Sequence, residues 1–503
     1  VRLLSPAFLR FVEGVRRVEV QGARTLLEEY RSFAAGESRL IVAFRHPSAS
    51  DAPVVGHLFA RRVRKLAGRE GVQLPKETFI HFLYGRGVPL WSGPGTGWLL
   101  PRVAAIPVYH RRVDSKGMAA VREAAVAGRF PIALAPEGQV TYHNKRFGEL
   151  EAGTGRIALW CREDLRRRGE AKAVRLLPLA IEYRFGPGAG RSFDRALKWI
   201  EEQSGLSTEI RSGAPAPELY QGLMALTGGL LKQLERLYAP YAEGSTAAAG
   251  ALSPPEAAIA TSPGGEESIA ATGAAPTVEL PLLLRRRIEA ICDTALRVGE
   301  RSHGIPSKGS LLDRVFRLRD AGWNRMFRND LPDLSPTERA YADAFAEQAK
   351  LSARHMELVD ALEYLDPGYI FPEAGFDRFL EYALMLQDVV NRLLGGTIAG
   401  RMVVKGREAI ITVGEPRSVE AILSGGTAEE KGRGGKAEVD RESGGDAGRP
   451  AAAGRQNAPG NSPAPGTEAA RSASAAPGSG TRVRRASRRI ADYIASEFRR
   501  LIR

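Results

Sequence analysis

A chain of 503 residues with 43% hydrophobic content is long enough to bury a full core and to hold more than one folded unit. Two cysteines, Cys161 and Cys292, are too few for a disulfide framework or a thiolate metal site, which favours a reducing cytoplasm. The formal net charge of +14 suits an anionic membrane surface or nucleic acid, although Arg, Ala and Gly are frequent throughout and part of the excess is compositional.

No apolar run approaches the roughly 18 to 20 residues that span a bilayer, and the first residues lack the apolar core of a signal peptide. The expectation is a protein that is soluble or lies on a membrane. From the N-terminus, Leu4, Phe8, Phe11, Val15 and Val18 fall near helical spacing with Arg10, Arg16, Arg17 and Arg24 between them. Leu3 to Phe33 therefore reads as helix, either packed on the core or lying at an interface.

Leu40 to Phe44 is an aliphatic run with Gly36 before it and Pro47 after it, too short for a helix, and reads as a buried strand ending on His46. Ser50 as N-cap, Asp51 in the first turn and a tolerated Pro53 predict a helix from about Asp51 towards Leu66. His46 then sits in a strand-to-helix loop, where open α/β sheets bind ligands and helix-start amides can hold a developing negative charge. Histidine is readily poised as a base near neutral pH, and Asp51 can fix its tautomer. The stretch offers no evident serine or cysteine nucleophile, so the pair suits deprotonation of a substrate hydroxyl.

The same spacing recurs at His355 and Asp360, inside Leu351 to Leu365, which reads as one helix. Residues five apart on a helix are separated by about 140° of rotation and do not meet. His355 is expected to be an ordinary surface or core histidine.

Further along, Glu77 to Tyr84 reads as a strand, and Trp91 to Leu100 as a glycine-rich loop that is no dinucleotide fingerprint. Val103 to Tyr109 is a strand ending in His110, Arg111 and Arg112, where paired arginines either clamp a phosphate or form a solvated edge. Met118 to Ala127 is helical, and Phe130 to Ala135 is a buried strand that runs into Pro136, Glu137 and Gly138. A helix over Arg156 to Arg168 precedes a strand over Leu176 to Ile181, whose Pro178 predicts an edge or a bulge. Strands alternating with helices from residue 40 to 185 argue for an α/β layered domain.

Set side by side, these strand ends resemble the glycerolipid acyltransferase family, the lysophosphatidate-type enzymes that move a fatty acyl chain onto a glycerol hydroxyl. The family's Asn-His-x-Ser-x-x-Asp block is matched by Arg45, His46, Pro47, Ser48, Ala49, Ser50 and Asp51. An apolar strand closing on arginine is similar to Ile106 to Arg111, with Arg112 as a substitute. The block Pro-Glu-Gly-Thr-Arg-Ser is matched by Pro136, Glu137, Gly138, Gln139, Val140 and Thr141, and the Val-Pro-Val-Ala-Ile type by Leu177, Pro178, Leu179, Ala180 and Ile181. More than two hundred residues later, Ile410 to Pro416 is similar to the strand and turn that follow the last block.

The resemblance implies a mixed central sheet, with His46 as general base, Asp51 orienting it, and Ser48, Arg111, Arg112, Glu137 and Gly138 binding substrate. It also implies an acyl-CoA or acyl-carrier-protein donor, a lysophospholipid acceptor, no cofactor and no metal. The work would be done on the inner face of a cytoplasmic membrane. Two departures stand out: Val140 where the family carries arginine, and Glu151 before Ala152 and Gly153 where a lysine is frequent. Valine cannot imitate the guanidinium fork, which leaves the acceptor open to another lyso-lipid, glycerol 3-phosphate or an aminolipid. The rival outside the family is a non-catalytic membrane-binding protein; no motif supports nucleic-acid binding.

The expected organisation is an acyltransferase α/β domain over 1–241, a low-complexity linker over 242–278 and a helical accessory domain over 279–400. A returning strand and turn follow at 401–424, then a disordered linker at 425–481 and a basic amphipathic helix at 482–503. Ile490, Ile494, Phe498 and Leu501 share one face of that last helix among many arginines, which reads as a membrane-surface anchor or as a helix docked back on the domain.

Overall fold

The computed structural model describes residues 2–92, 94–109, 114–241, 279–425 and 479–502. Two predicted features therefore fall outside the described residues: the Arg111 and Arg112 pair, and almost all of the two low-complexity stretches.

Eight strands form one mixed, mostly parallel sheet: β1 Val15–Gln21, β2 Ser38–Phe44, β3 His81–Gly85, β4 Ile106–Val108, β5 Ile132–Leu134, β6 Ala173–Arg184, β7 Arg407–Val413 and β8 Arg417–Ser418. Their order is β1-β7-β6-β2-β5-β3-β4, with β8 beside β6. The expected α/β layering with a mixed central sheet is what the chain adopts. In β2, Leu40, Val42 and Phe44 join one apolar layer while Ile41 and Ala43 join the layer on the opposite face. A strand buried on both faces reads as a continuous aliphatic run, because neither face needs polar residues.

β6 is central, although it carries Pro178. It pairs in parallel with β2 and antiparallel with β7. Pro178 tolerates this because its carbonyl and its ring nitrogen face the same side, where β7 has ended and β8 has not begun. There the carbonyl accepts from Gly414 N–H at 2.8 Å, and no ladder bond is asked of the missing N–H.

The N-terminal stretch is not one helix. A helix over Ser5–Phe11 gives way to β1, and a second helix follows over Ala23–Ala34. Gly14 and Gly22 punctuate it with φ of +68° and +77°, and between them the β-branched Val15, Val18 and Val20 favour a strand. The glycine-rich stretch around Trp98 is likewise helical, over Val88–Trp91 and Pro94–Arg102. Proline at a first helical position costs no hydrogen bond, which outweighs the neighbouring glycines.

The helical region is inserted between the neighbouring strands β6 and β7. Helices Ala189–Ser204, Ala216–Tyr238, Glu279–His303, Leu311–Met326, Pro336–Tyr364 and Phe376–Leu393 share one apolar core. That core takes in the first two of these helices, which the sequence pattern alone assigns to the α/β layer. His355 lies in the Pro336–Tyr364 helix, with Nδ1 2.8 Å from Tyr238 Oη, while Asp360 pairs with Arg319. Both cysteines are buried, and burial pushes the Cys161 thiol up to about 12, where it is no nucleophile.

The C-terminal helix, Ser479–Leu501, has its apolar stripe in the core. Ile490, Ile494 and Phe498 are fully buried and pack on the same layer as Ile157, Leu176 and Val419. A side chain at Gly155 would run into the Ser487 carbonyl, so a glycine is needed where this helix touches the Gly153–Arg167 helix. The stripe expected to face a bilayer is thus spent on packing. Among the described residues, no helix is long and apolar enough to cross a membrane.

Candidate active site

The topology gathers five strand ends at one edge of the sheet. β2 lies between β5 and β6 and runs parallel to both, so the residues after all three strands emerge together. β7 is antiparallel to β6 and parallel to β1, which brings the starts of β7 and β1 to the same edge. This is the crevice at carboxyl ends where open α/β sheets hold ligands.

His46 lies two residues past the end of β2, and its Nδ1 lies 2.9 Å from Asp51 Oδ2. The aspartate is fully buried, whereas the imidazole side chain is 20% exposed. With Nδ1 donating to a carboxylate, Nε2 keeps its lone pair for a substrate proton. Asp51 is itself held from two directions: Ser48 N–H donates to Oδ2 at 2.8 Å, and Tyr183 Oη, at the end of β6, donates to Oδ1 at 2.5 Å. Burial, followed by the Asp51 charge, holds the Tyr183 phenol well above its ordinary pKa, so it remains a donor.

Glu137 emerges after β5, and its Oε1 accepts from His46 N–H at 2.7 Å. The carboxylate lies 3.8 Å from Arg45 Nε, and both side chains are buried. Burial raises the Glu137 pKa and the Arg45 charge opposes that rise. Arg45 binds three carbonyls of the facing loop, Asn144 at 2.6 Å, His143 at 2.9 Å and Arg146 at 2.6 Å. Thr141 N–H returns to His46 O at 2.9 Å. Gly138, with φ of +77°, makes the turn after Glu137, and a Cβ there would come within 3.2 Å of the Glu151 carboxylate.

Of the residues singled out from sequence, His46, Asp51, Ser48, Glu137 and Gly138 come together. Ser48 and Glu137 do their visible work on the His46 loop: Ser48 Oγ accepts from Ser50 N–H at 3.2 Å and from Arg407 at 3.3 Å. Three amides around the helix start, where a developing charge is expected to be met, are already engaged. Ser48 N–H goes to Asp51, Ser50 N–H to Ser48 and Asp51 N–H to Ser48 O.

Sequence reasoning overlooks Tyr183, Arg45 as a loop clamp, and Arg407. Tyr183 and Arg407 belong to strands read only as hydrophobic runs, and no local pattern marks them. The signal for Arg45 is its place directly at the end of an apolar run, where a charge carried into the interior must find partners.

The site opens into a cleft of about 2630 Å³ between the sheet edge and the helical insertion. Phe44, Phe82, Leu99, Val108 and Leu134 line its apolar wall, and Tyr142, Arg392, Arg401 and Arg407 its polar end. Drug-sized ligand sites occupy roughly 300–1,000 Å³, so this space admits long, mostly apolar substrates. Among the described residues no group of His, Cys, Asp or Glu is arranged to hold a metal ion. Comparison of the chain with protein-family models, with curated proteins and with solved structures finds no match in any of the three.

Proposed function

We propose that this protein is an O-acyltransferase that moves a fatty acyl group from an acyl thioester to a hydroxyl of a glycerolipid, with 1-acyl-glycerol 3-phosphate as the favoured acceptor. The carrying observation is the pair His46 and Asp51, hydrogen-bonded at 2.9 Å on the wall of a large apolar cleft. His46 Nε2 takes the acceptor hydroxyl proton as the oxygen attacks the thioester carbonyl. The tetrahedral intermediate then collapses, the C–S bond breaks, and the imidazolium returns its proton to the leaving thiolate. Asp51 stabilises that imidazolium and fixes the ring. A thioester is already activated, so base catalysis and orientation suffice without an acyl-enzyme.

The size and apolar wall of the cleft support two lipid-like substrates held at once. Leu4 and Trp98, which line it, are 73% and 62% exposed, and they support contact of the cleft mouth with a lipid surface. The membrane-facing element is then the Ser5–Phe11 helix and the Trp98 helix, in place of the docked C-terminal helix.

The test is transfer of labelled acyl groups from acyl-CoA and from acyl-carrier protein to a panel of lysophospholipids, glycerol 3-phosphate and an aminolipid. Transfer to at least one acceptor is expected. Folded protein that transfers nothing from either donor contradicts the reading.

A further inference from the structure

At the polar end of the cleft the arginines are only partly paired with carboxylates, although Glu357 also lines it, close enough to feel the Arg392 charge. Asp388 lies 3.6 Å from Arg392 Nε, Asp360 pairs with Arg319, and Glu381 accepts from Asn144 and Tyr369. Arg401 and Arg407 remain, and among the described residues neither has a carboxylate partner. Arg401 donates to the Leu384 carbonyl at 3.2 Å and lies 3.9 Å over the Tyr142 ring. Arg407 donates to Ser48 Oγ, to Ser50 Oγ at 2.9 Å and to the Glu13 carbonyl at 2.7 Å, while its buried Nε has no partner among the described residues. The Glu13 carboxylate is occupied by Ser50 Oγ at 2.7 Å.

Tyr142 belongs to the same place. Among the described residues its buried Oη has no hydrogen-bond partner, and its φ of +58° is a left-handed conformation that a bulky residue rarely adopts. An orphaned hydroxyl and an orphaned guanidinium N–H each cost stability unless something fills the space between the walls. Burial lowers the Arg401 pKa, the Tyr142, Asp388 and Glu381 charges oppose that shift, and the Arg407 charge adds to it. Val140 lines the same cleft and contributes no charge.

We infer that Arg401, Arg407 and Tyr142 Oη form an anion subsite that takes a phosphate monoester, the headgroup of the acceptor. Guanidinium forks suit phosphate oxygens, and two of them suit a dianion. Arg407 also touches Ser48, two residues from His46, so the subsite adjoins the base. The insertion that separates β6 from β7 thereby supplies headgroup selection. The identification of the ligand as an acceptor rests on the acyl-transfer reading; the anion site does not.

The experiment is calorimetric titration of the full chain with inorganic phosphate, glycerol 3-phosphate and glycerol. Wild type, Arg401→Leu and Tyr142→Phe are compared, together with KM for lysophosphatidate. Glycerol 3-phosphate and phosphate should bind to wild type, and glycerol should not. Affinity should fall about tenfold to a hundredfold in Arg401→Leu and severalfold in Tyr142→Phe, with KM rising in parallel. Tyr142→Phe removes only an unpartnered hydroxyl and keeps the test open if Arg401→Leu does not fold. No phosphate binding by wild type, equal binding of glycerol, or unchanged affinity in folded variants would overturn the subsite. Acyl transfer to lysophosphatidate with unchanged KM in the variants would sink the subsite and leave the transfer reading. Arg401-dependent phosphate binding without any transfer would do the reverse.

Discussion

Tyr183 and His46 grip opposite oxygens of one buried carboxylate: the phenol donates to Asp51 Oδ1 and the imidazole to Oδ2. The strand β6 thus helps to orient the proposed base through Asp51. Tyr183→Phe is expected to lower kcat about tenfold to a hundredfold while KM for the acceptor is unchanged, because a hydrogen bond to a charged group contributes about 1.5–3 kcal/mol. Asp51→Asn should cost about a hundredfold or more, since the amide can present the wrong group to Nδ1. Steady-state kinetics of the two variants check both values. A rise in KM without loss of kcat would place Tyr183 in substrate binding instead.

Arg45 carries the loop that faces His46. Arg45→Leu leaves the Asn144, His143 and Arg146 carbonyls and the buried Glu137 without their cation. Removal of one partner from such a buried set costs about 3–5 kcal/mol. Denaturant unfolding should show that loss, and Arg45→Lys should restore only part of it, because an ammonium cannot span three carbonyls in a plane.

The docked C-terminal helix predicts a folding defect in its variants. Phe498 is fully buried and meets Phe147 edge to face at a centroid distance of 5.7 Å. Phe498→Ala should cost about 3–5 kcal/mol by thermal or denaturant unfolding. Gly155→Ala should also destabilise, since its methyl group would collide with the Ser487 carbonyl. A helix that served only as an anchor would leave the unfolding midpoint unmoved in both.

Glu381 makes stability depend on pH. Burial raises its pKa from 4.5 to about 7, with Tyr369 and Asn144 donating to the carboxylate. The folded state therefore binds the proton more tightly than the unfolded chain does. Its contribution is fully present below pH 4.5, falls as pH rises through the window from 4.5 to about 7, and is absent above it. The total is about 3 kcal/mol, given about 1.4 kcal/mol per pKa unit. His143, held down to about 3 by burial, acts oppositely and is lost as pH falls from 6.5. Unfolding free energy of Glu381→Gln minus that of wild type should rise with pH across this window. A flat difference would show that Glu381 stays ionised.

Much of the candidate site is legible in local sequence because one chain segment carries it. His46, Ser48 and Asp51 sit within six residues, and a strand-to-helix junction sets their geometry. Glu137 and Gly138 are readable as a second strand end. Tyr183, Arg401 and Arg407 are not, because they reach the site through the pairing of β6 with β7 across an insertion of more than two hundred residues. Sheet order decides that pairing, and hydrophobic runs do not reveal it. The same limit hides the docked C-terminal helix: a stripe such as Ile490, Ile494 and Phe498 looks alike whether it meets lipid or protein. In the N-terminal stretch, Val15 and Val18 satisfy a helical spacing and a strand propensity together, and two left-handed glycines settle the contest in favour of β1.

The most direct measurement of the central claim is the rate of acyl transfer from labelled acyl thioester to the best wild-type acceptor by His46→Ala and His355→Ala. Both histidines precede an aspartate by five residues, but only His46 bonds to its own, while His355 bonds to Tyr238. The account predicts that His46→Ala loses at least about a hundredfold in kcat and that His355→Ala stays within about twofold of wild type. Full activity in folded His46→Ala would contradict it.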